Sequence, residues 1–224
     1  MALALLVALG GGAVAFVQSG LARSINLIAL FSRRGVVPRQ LPPGEDIGLA
    51  LYRNPKSQDR VKSFYAELTG SPELATTILK VANRQDVPLS LAFALAWKES
   101  NFSPTAVNFN GGSVDRGLYQ LNSLSFPNLT TDAFFDPRQN AQEGLSYLSE
   151  CLKDGGNEIV GLAMYNAGMA RVVENGTPRE TLDYISTILN YQSAVEAQFE
   201  TAMLKSGMAP SLLARSAVSG SADF

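Results

Sequence analysis

Helix-start signals recur along this chain, and only one short stretch interrupts them. Ser71-Pro72-Glu73 supplies an N-cap hydroxyl, a proline at the first helical position and an acid in the first turn. Leu74, Ile78, Val81 and Ala82 then share one face at helical spacing. Pro88 and Ser90 open a second helix over Leu91 to Ser100, almost wholly apolar until Lys98. Asp136-Pro137-Arg138-Gln139 is a variant capping box; Leu145, Leu148 and Leu152 form the inner face behind it, and Gly155-Gly156 ends that helix. Thr177-Pro178-Arg179-Glu180 is a full box, followed by Leu182, Ile185, Ile188 and Leu189 in a helix expected to reach Ala202. Alternation of period two is scarce. Only Val107 to Leu121, rich in Asn and Gly, can hold a short irregular hairpin, so the expected class is mostly α with one β excursion.

With 224 residues the chain can bury one sizeable core and carry terminal segments besides. Met1 to Ala22 holds no charged side chain and begins with a short apolar run. Residues 1–31 are therefore expected to be a signal peptide or an N-terminal membrane anchor, implying export to the periplasm or cell envelope. Arg33, Arg34, Pro38, Arg39, Pro42, Pro43 and Gly44 mark a linker, assigned to 32–58. The folded domain is assigned to 59–204, and the Gly- and Ser-containing end, 205–224, to a flexible tail.

Charge and residue inventory exclude much. Lys+Arg is 18 against Asp+Glu 20, so no charge excess attracts nucleic acid. There is no histidine, which removes Ser-His-Asp and Cys-His nucleophilic catalysis and any His-ligated metal. No metal or cofactor is expected. Cys151 is the only cysteine; lying between Leu148 and Leu152, it reads as a small buried hydrophobe.

The remaining chemistry rests on carboxylates, hydroxyls and amides. Glu99 ends the apolar run Phe93-Ala94-Leu95-Ala96-Trp97, where lost hydration penalises the charged form and raises the carboxyl pKa. An acid that holds its proton near neutral pH suits protonation of a glycosidic oxygen. Gly117-Leu118-Tyr119-Gln120 follows, a glycine turn with an amide that both donates and accepts. Tyr165-Asn166-Ala167-Gly168 adds a hydroxyl, a second amide and a helix stop.

In this order and spacing the chain resembles the lytic transglycosylases of the soluble-lytic-transglycosylase family, with their goose-lysozyme-like fold. The family's Glu-Ser motif matches Glu99-Ser100; its Gly-Leu-Met-Gln motif matches Gly117-Leu118-Tyr119-Gln120. Its Ala-Tyr-Asn-Ala-Gly motif matches Met164-Tyr165-Asn166-Ala167-Gly168, and Glu-Thr-x-x-Tyr matches Glu180-Thr181-Leu182-Asp183-Tyr184. The resemblance spans about residues 72–192, and Asn110-Gly111-Gly112-Ser113-Val114-Asp115 looks most like the secretion-associated branch. It implies that Glu99 is the catalytic acid on peptidoglycan glycan strands, cleaving the β-1,4 bond between N-acetylmuramic acid and N-acetylglucosamine with 1,6-anhydromuramic acid formation, in wall remodelling or the insertion of an envelope-spanning secretion or motility apparatus. Ser100, Gln120, Tyr165, Asn166 and Tyr184 would hold the sugars, with Gly117, Leu118 and Tyr119 lining the cleft. Tyr119 and Met164 depart from the family's Met and Ala, and both are expected to narrow that cleft or to change which stem peptides it tolerates. Asp115 separates the alternatives. As a second carboxylate it would make the chain a muramidase that hydrolyses the same bond; otherwise it supports the hairpin through backbone hydrogen bonds. A non-catalytic wall-binding protein is the remaining alternative, disfavoured by the intact Glu99-Ser100.

Overall fold

In a computed structural model the described residues run from Asp46 to Lys205 and form nine helices and a three-stranded antiparallel sheet. The expected leader or anchor at 1–31, most of the linker and the tail beyond Lys205 lie outside them. Among the described residues no helix is long and apolar enough to cross a membrane.

The expected linker is too long. Ile47–Arg53 is a helix, α1, whose Leu49, Leu51 and Tyr52 are buried. Asp46 caps it by accepting from the Leu49 amide at 2.6 Å. The Pro- and Gly-rich composition that suggested a linker stops at Gly44, and the seven residues from Ile47 are too few for a periodic signal to stand out. Gln58–Thr69 (α2) follows and ends at Gly70 in the left-handed conformation.

Pro72–Gln85 (α3) is capped as expected, the Ser71 hydroxyl accepting from Leu74 N. The next helix, Leu89–Ser100 (α4), starts two residues before the predicted Leu91. Every side chain from Leu89 to Ala96 is buried, so α4 runs through the centre of the core and has no polar stripe. Tyr65 of α2 stacks on Phe93 with ring centroids 4.0 Å apart.

The Asn- and Gly-rich stretch folds into Val107–Asn110 (β1), Ser113–Arg116 (β2) and Leu121–Asn122 (β3), in the order β1-β2-β3. Asp115 lies opposite Asn108 on one side and Asn122 on the other. Short α5, Thr131–Phe135, leads into α6, Pro137–Gly155, where Asp136 accepts from the amides of Arg138 and Gln139. Cys151 of α6 is fully buried, and burial pushes its thiol up to about 11, an inert apolar filler as expected.

Glu158–Ala167 (α7) and Met169–Asn175 (α8) meet at Gly168, and Arg179–Lys205 (α9) closes the fold. The predicted capping box at Thr177 does not form. The Pro178 carbonyl accepts from Thr181 and Leu182 instead, and the Thr177 hydroxyl takes no part. Leu182 is 52% exposed, because the buried stripe of α9 runs through Thr181, Tyr184, Ile185 and Ile188. Further along, Tyr191 stacks on Trp97 of α4 at 4.0 Å with nearly parallel rings. These contacts set α9 beside the end of α4 that carries Glu99.

Candidate active site

Glu99 occupies the last turn of α4, where two features oppose ionisation. Its carboxyl is enclosed although the residue as a whole keeps some exposure, and desolvation raises its pKa from 4.5 to about 7. Asp115 raises it too, while the Tyr184 hydroxyl and the Lys98 ammonium favour the charged form and lose to burial. Tyr184 of α9 donates a short hydrogen bond to Glu99 Oε1. The Lys98 ammonium lies 5.6 Å from the centre of the Tyr184 ring, so a cation sits on the face of the residue that holds the acid.

Beyond Glu99 the chain turns sharply. Asn101 and Phe102 both have positive φ (51° and 63°), a conformation that costs non-glycine residues on the order of 1 kcal/mol each. The Asn101 amide closes the helix on the Ala96 and Trp97 carbonyls. Ser100 contributes to the same turn: its hydroxyl bonds Leu118 O at 2.7 Å and Ala96 O at 3.1 Å. It therefore ties α4 to the Gly117–Gln120 turn.

That turn has little freedom. Gly117 has φ +79°, and a Cβ there would lie 2.1 Å from the Phe134 carbonyl oxygen and 2.3 Å from Asn140 Nδ2. Asn140, fully buried on α6, donates to the carbonyls of Arg116 (2.9 Å) and Phe134 (2.8 Å) and accepts from Tyr119 N at 2.7 Å. Gln120, also at positive φ, spends its Nε2 on the Ala106 and Gly117 carbonyls.

Leu118 and Tyr119 do not line a cleft. Both side chains are fully buried, with the Tyr119 hydroxyl donating to Ala92 O at 3.1 Å inside the core. The turn throws the ring inward, where α6 leaves room because it carries Gly144 at the point of contact; a Cβ on Gly144 would come within 2.6 Å of Tyr119 Cβ. The expected narrowing by Tyr119 is therefore absent, and Met164, 6% exposed, adds none. What the turn offers is its backbone: Tyr119 O accepts from the Tyr165 hydroxyl at 2.9 Å. Tyr165 is thus a strut with its hydroxyl committed.

Asp115 is held by side chains and not by the backbone, as had been expected. Asn122 Nδ2 donates to its Oδ1 at 2.6 Å and Asn110 Nδ2 donates to Oδ2 by a short bond, so each carboxylate oxygen has a partner. Asn122 Nδ2 also reaches Ser113 Oγ, and Asn108 Nδ2 reaches Asn110 Oδ1. One face of the hairpin is thereby a continuous band of amides, hydroxyl and carboxylate, and its charge acts on Glu99. The Asn-rich spacing carried this band, but the pairing register was needed to see it.

Asn166, exposed near the end of α7, accepts from Thr181 Oγ1 at 2.8 Å. Its Nδ2 has no hydrogen-bond partner among the described residues. Of the expected site residues the fold brings Glu99, Tyr184 and Tyr165 together, the charge on Glu99 acting on both tyrosines and raising their hydroxyl pKa, after burial. It uses Ser100, Gln120 and Gly117 to build the turn beside them. Lys98, Asn140 and Thr181 are the residues that sequence reasoning passed over. Thr181 stood inside a quoted motif, whereas nothing local distinguishes Asn140 from a surface asparagine.

Among the described residues no group of three His, Cys, Asp or Glu can hold a metal ion. A family model described as Transglycosylase SLT domain matches residues 76–187, half of the chain, and the match takes in every residue of this site.

Proposed function

The chain belongs to the transglycosylase SLT-domain family, whose activity is lytic transglycosylation of peptidoglycan, and we propose that Glu99 is its one acid–base catalyst. The observation that carries this is a desolvated carboxyl with its pKa raised to about 7 and one tyrosine hydroxyl holding it in place. At neutral pH a large share of such molecules keep the proton that the leaving oxygen needs. Glu99 protonates the oxygen linking N-acetylmuramic acid to N-acetylglucosamine. As a carboxylate it then takes the proton from the C6 hydroxyl of the muramyl sugar, which closes on C1 to give the 1,6-anhydro product. The C1–O bond breaks and a C1–O6 bond forms, so no water is consumed. The neighbouring N-acetyl group stabilises positive charge at C1. An internal nucleophile needs orientation and no base to activate water.

Tyr184 keeps the carboxyl aimed, and Asn166 meets the acetamido group. Asp115, with both oxygens engaged by Asn110 and Asn122, supports the hairpin and supplies fixed negative charge. The protein acts outside the cytoplasm, on wall that is being remodelled or opened for an envelope-spanning apparatus.

The products decide it. Mass spectrometry of muropeptides released from purified wall should find anhydromuramic ends, lighter by one water than hydrolysis products. Asp115→Asn should leave that product unchanged and lower the rate, since its NH2 meets the NH2 of Asn110 or Asn122 donor to donor and loosens the hairpin. Reducing ends as the main product, with an inert Asp115→Asn enzyme, would mean that Asp115 activates water and that the protein is a muramidase.

A further inference from the structure

Thr181 lies just behind the proposed cleft, 3% exposed in the first turn of α9. Its hydroxyl donates to Asn166 Oδ1 at 2.8 Å. An amide head has one end that only accepts and one that only donates, and rotating it by half a turn exchanges them. Two facts prevent that exchange here. The Thr181 hydroxyl has no other acceptor among the described residues, so its proton must go to Asn166. With the amide reversed, Nδ2 would donate to Thr181 and the hydroxyl proton would be left buried without a partner. Asn166 is therefore held with its NH2 outward.

An outward NH2 selects for an acceptor. An N-acetyl group presents a carbonyl oxygen, whereas the ammonium of a de-N-acetylated sugar presents only N–H donors, which meet the NH2 donor to donor. We propose that Thr181 is a positioning residue that fixes the polarity of the Asn166 amide and thereby makes the enzyme select glycan strands bearing N-acetyl groups over strands bearing free amines. This rests on the placement of Asn166 against the acetamido group in the function proposed above.

The test compares binding of soluble glycan strands with binding of the same strands chemically de-N-acetylated, because the chemical step itself draws on the N-acetyl group. Thr181→Val removes the hydroxyl at nearly constant volume, and Thr181→Ser keeps it. The valine variant should raise KM for N-acetylated strands about tenfold with kcat within about twofold, and its binding preference over de-N-acetylated strands should fall by a similar factor. The serine variant should retain both wild-type values. Asn166→Asp provides a second arm that does not depend on the valine variant folding. It keeps an acceptor toward Thr181 and turns a carboxylate oxygen outward, so preference should shift toward the free amine. Wild-type KM and preference in the valine variant, or equal behaviour of valine and serine variants, overturns the proposal; so does unchanged preference in Asn166→Asp. In each of those cases wild-type enzyme still yields anhydro ends, whereas their absence overturns the proposed function itself.

Discussion

Glu99 is held in a place that does not suit its charge, and that misfit has a measurable cost to the fold. A carboxyl whose pKa rises from 4.5 to about 7 on folding binds more protons in the native state between those values. Its penalty is absent below pH 4.5, grows as pH rises through that window, and is complete above about 7, where it reaches at most about 3 kcal/mol. Glu99→Gln removes the charge and keeps the shape. The variant should be more stable than wild type at pH 8 by up to about 3 kcal/mol in urea titrations, with the difference closing by about pH 4.5. It should also cleave no wall, since an amide cannot donate the proton. A variant that melts like wild type at pH 8 would show that the carboxyl is well solvated. The apolar run from Phe93 to Trp97 made this desolvation legible in the sequence. The direction of Tyr119 was not legible, because a side chain leaving a turn at Gly117 goes wherever the facing helix leaves space, and Gly144 left it on the core side.

Elements that look equivalent by composition differ in what they tolerate. Gly70 and Gly117 both have positive φ, +70° and +79°, yet nothing lies within 4 Å of a Cβ at Gly70. Gly70→Ala should cost about 1 kcal/mol, the conformational penalty alone. Gly117→Ala meets the Phe134 carbonyl and Asn140 together and must break the struts on which the turn depends, so a loss above about 3 kcal/mol is expected. Denaturant midpoints for the two variants check this, and equal losses would mean that the turn relaxes freely. Helix boundaries were readable where a side chain caps: Ser71 and Asp136 both accept from their helix's first-turn amides. Thr177 carried the same signature and failed: the helix starts at Arg179, and the Pro178 carbonyl accepts from the Thr181 and Leu182 amides. The hairpin was placed from its Asn and Gly content, but its amide band depends on register, which composition does not encode.

At the scale of the molecule, local periodicity forecast the helical class, and tertiary packing decided the rest. The seven residues of α1 became helical by burying Leu49, Leu51 and Tyr52 against the core. The far end of α9 is anchored in the same way: Phe199 is 6% exposed and packs edge-on to Phe64 at 5.1 Å, with Tyr65 beyond. Phe199→Ala should lower unfolding free energy by about 3–4 kcal/mol while leaving the activity of each folded molecule at 25 °C intact. Combined calorimetry and active-site counting would show this, and lost activity in fully folded protein would tie this end of α9 to the chemistry. The bond from Tyr184 to Glu99 spans 85 residues of chain. During translation the acid leaves the ribosome long before its tyrosine does, and α9 docks only after the residues that anchor it have followed. A truncated or stalled copy thus carries Glu99 without the hydroxyl that holds it.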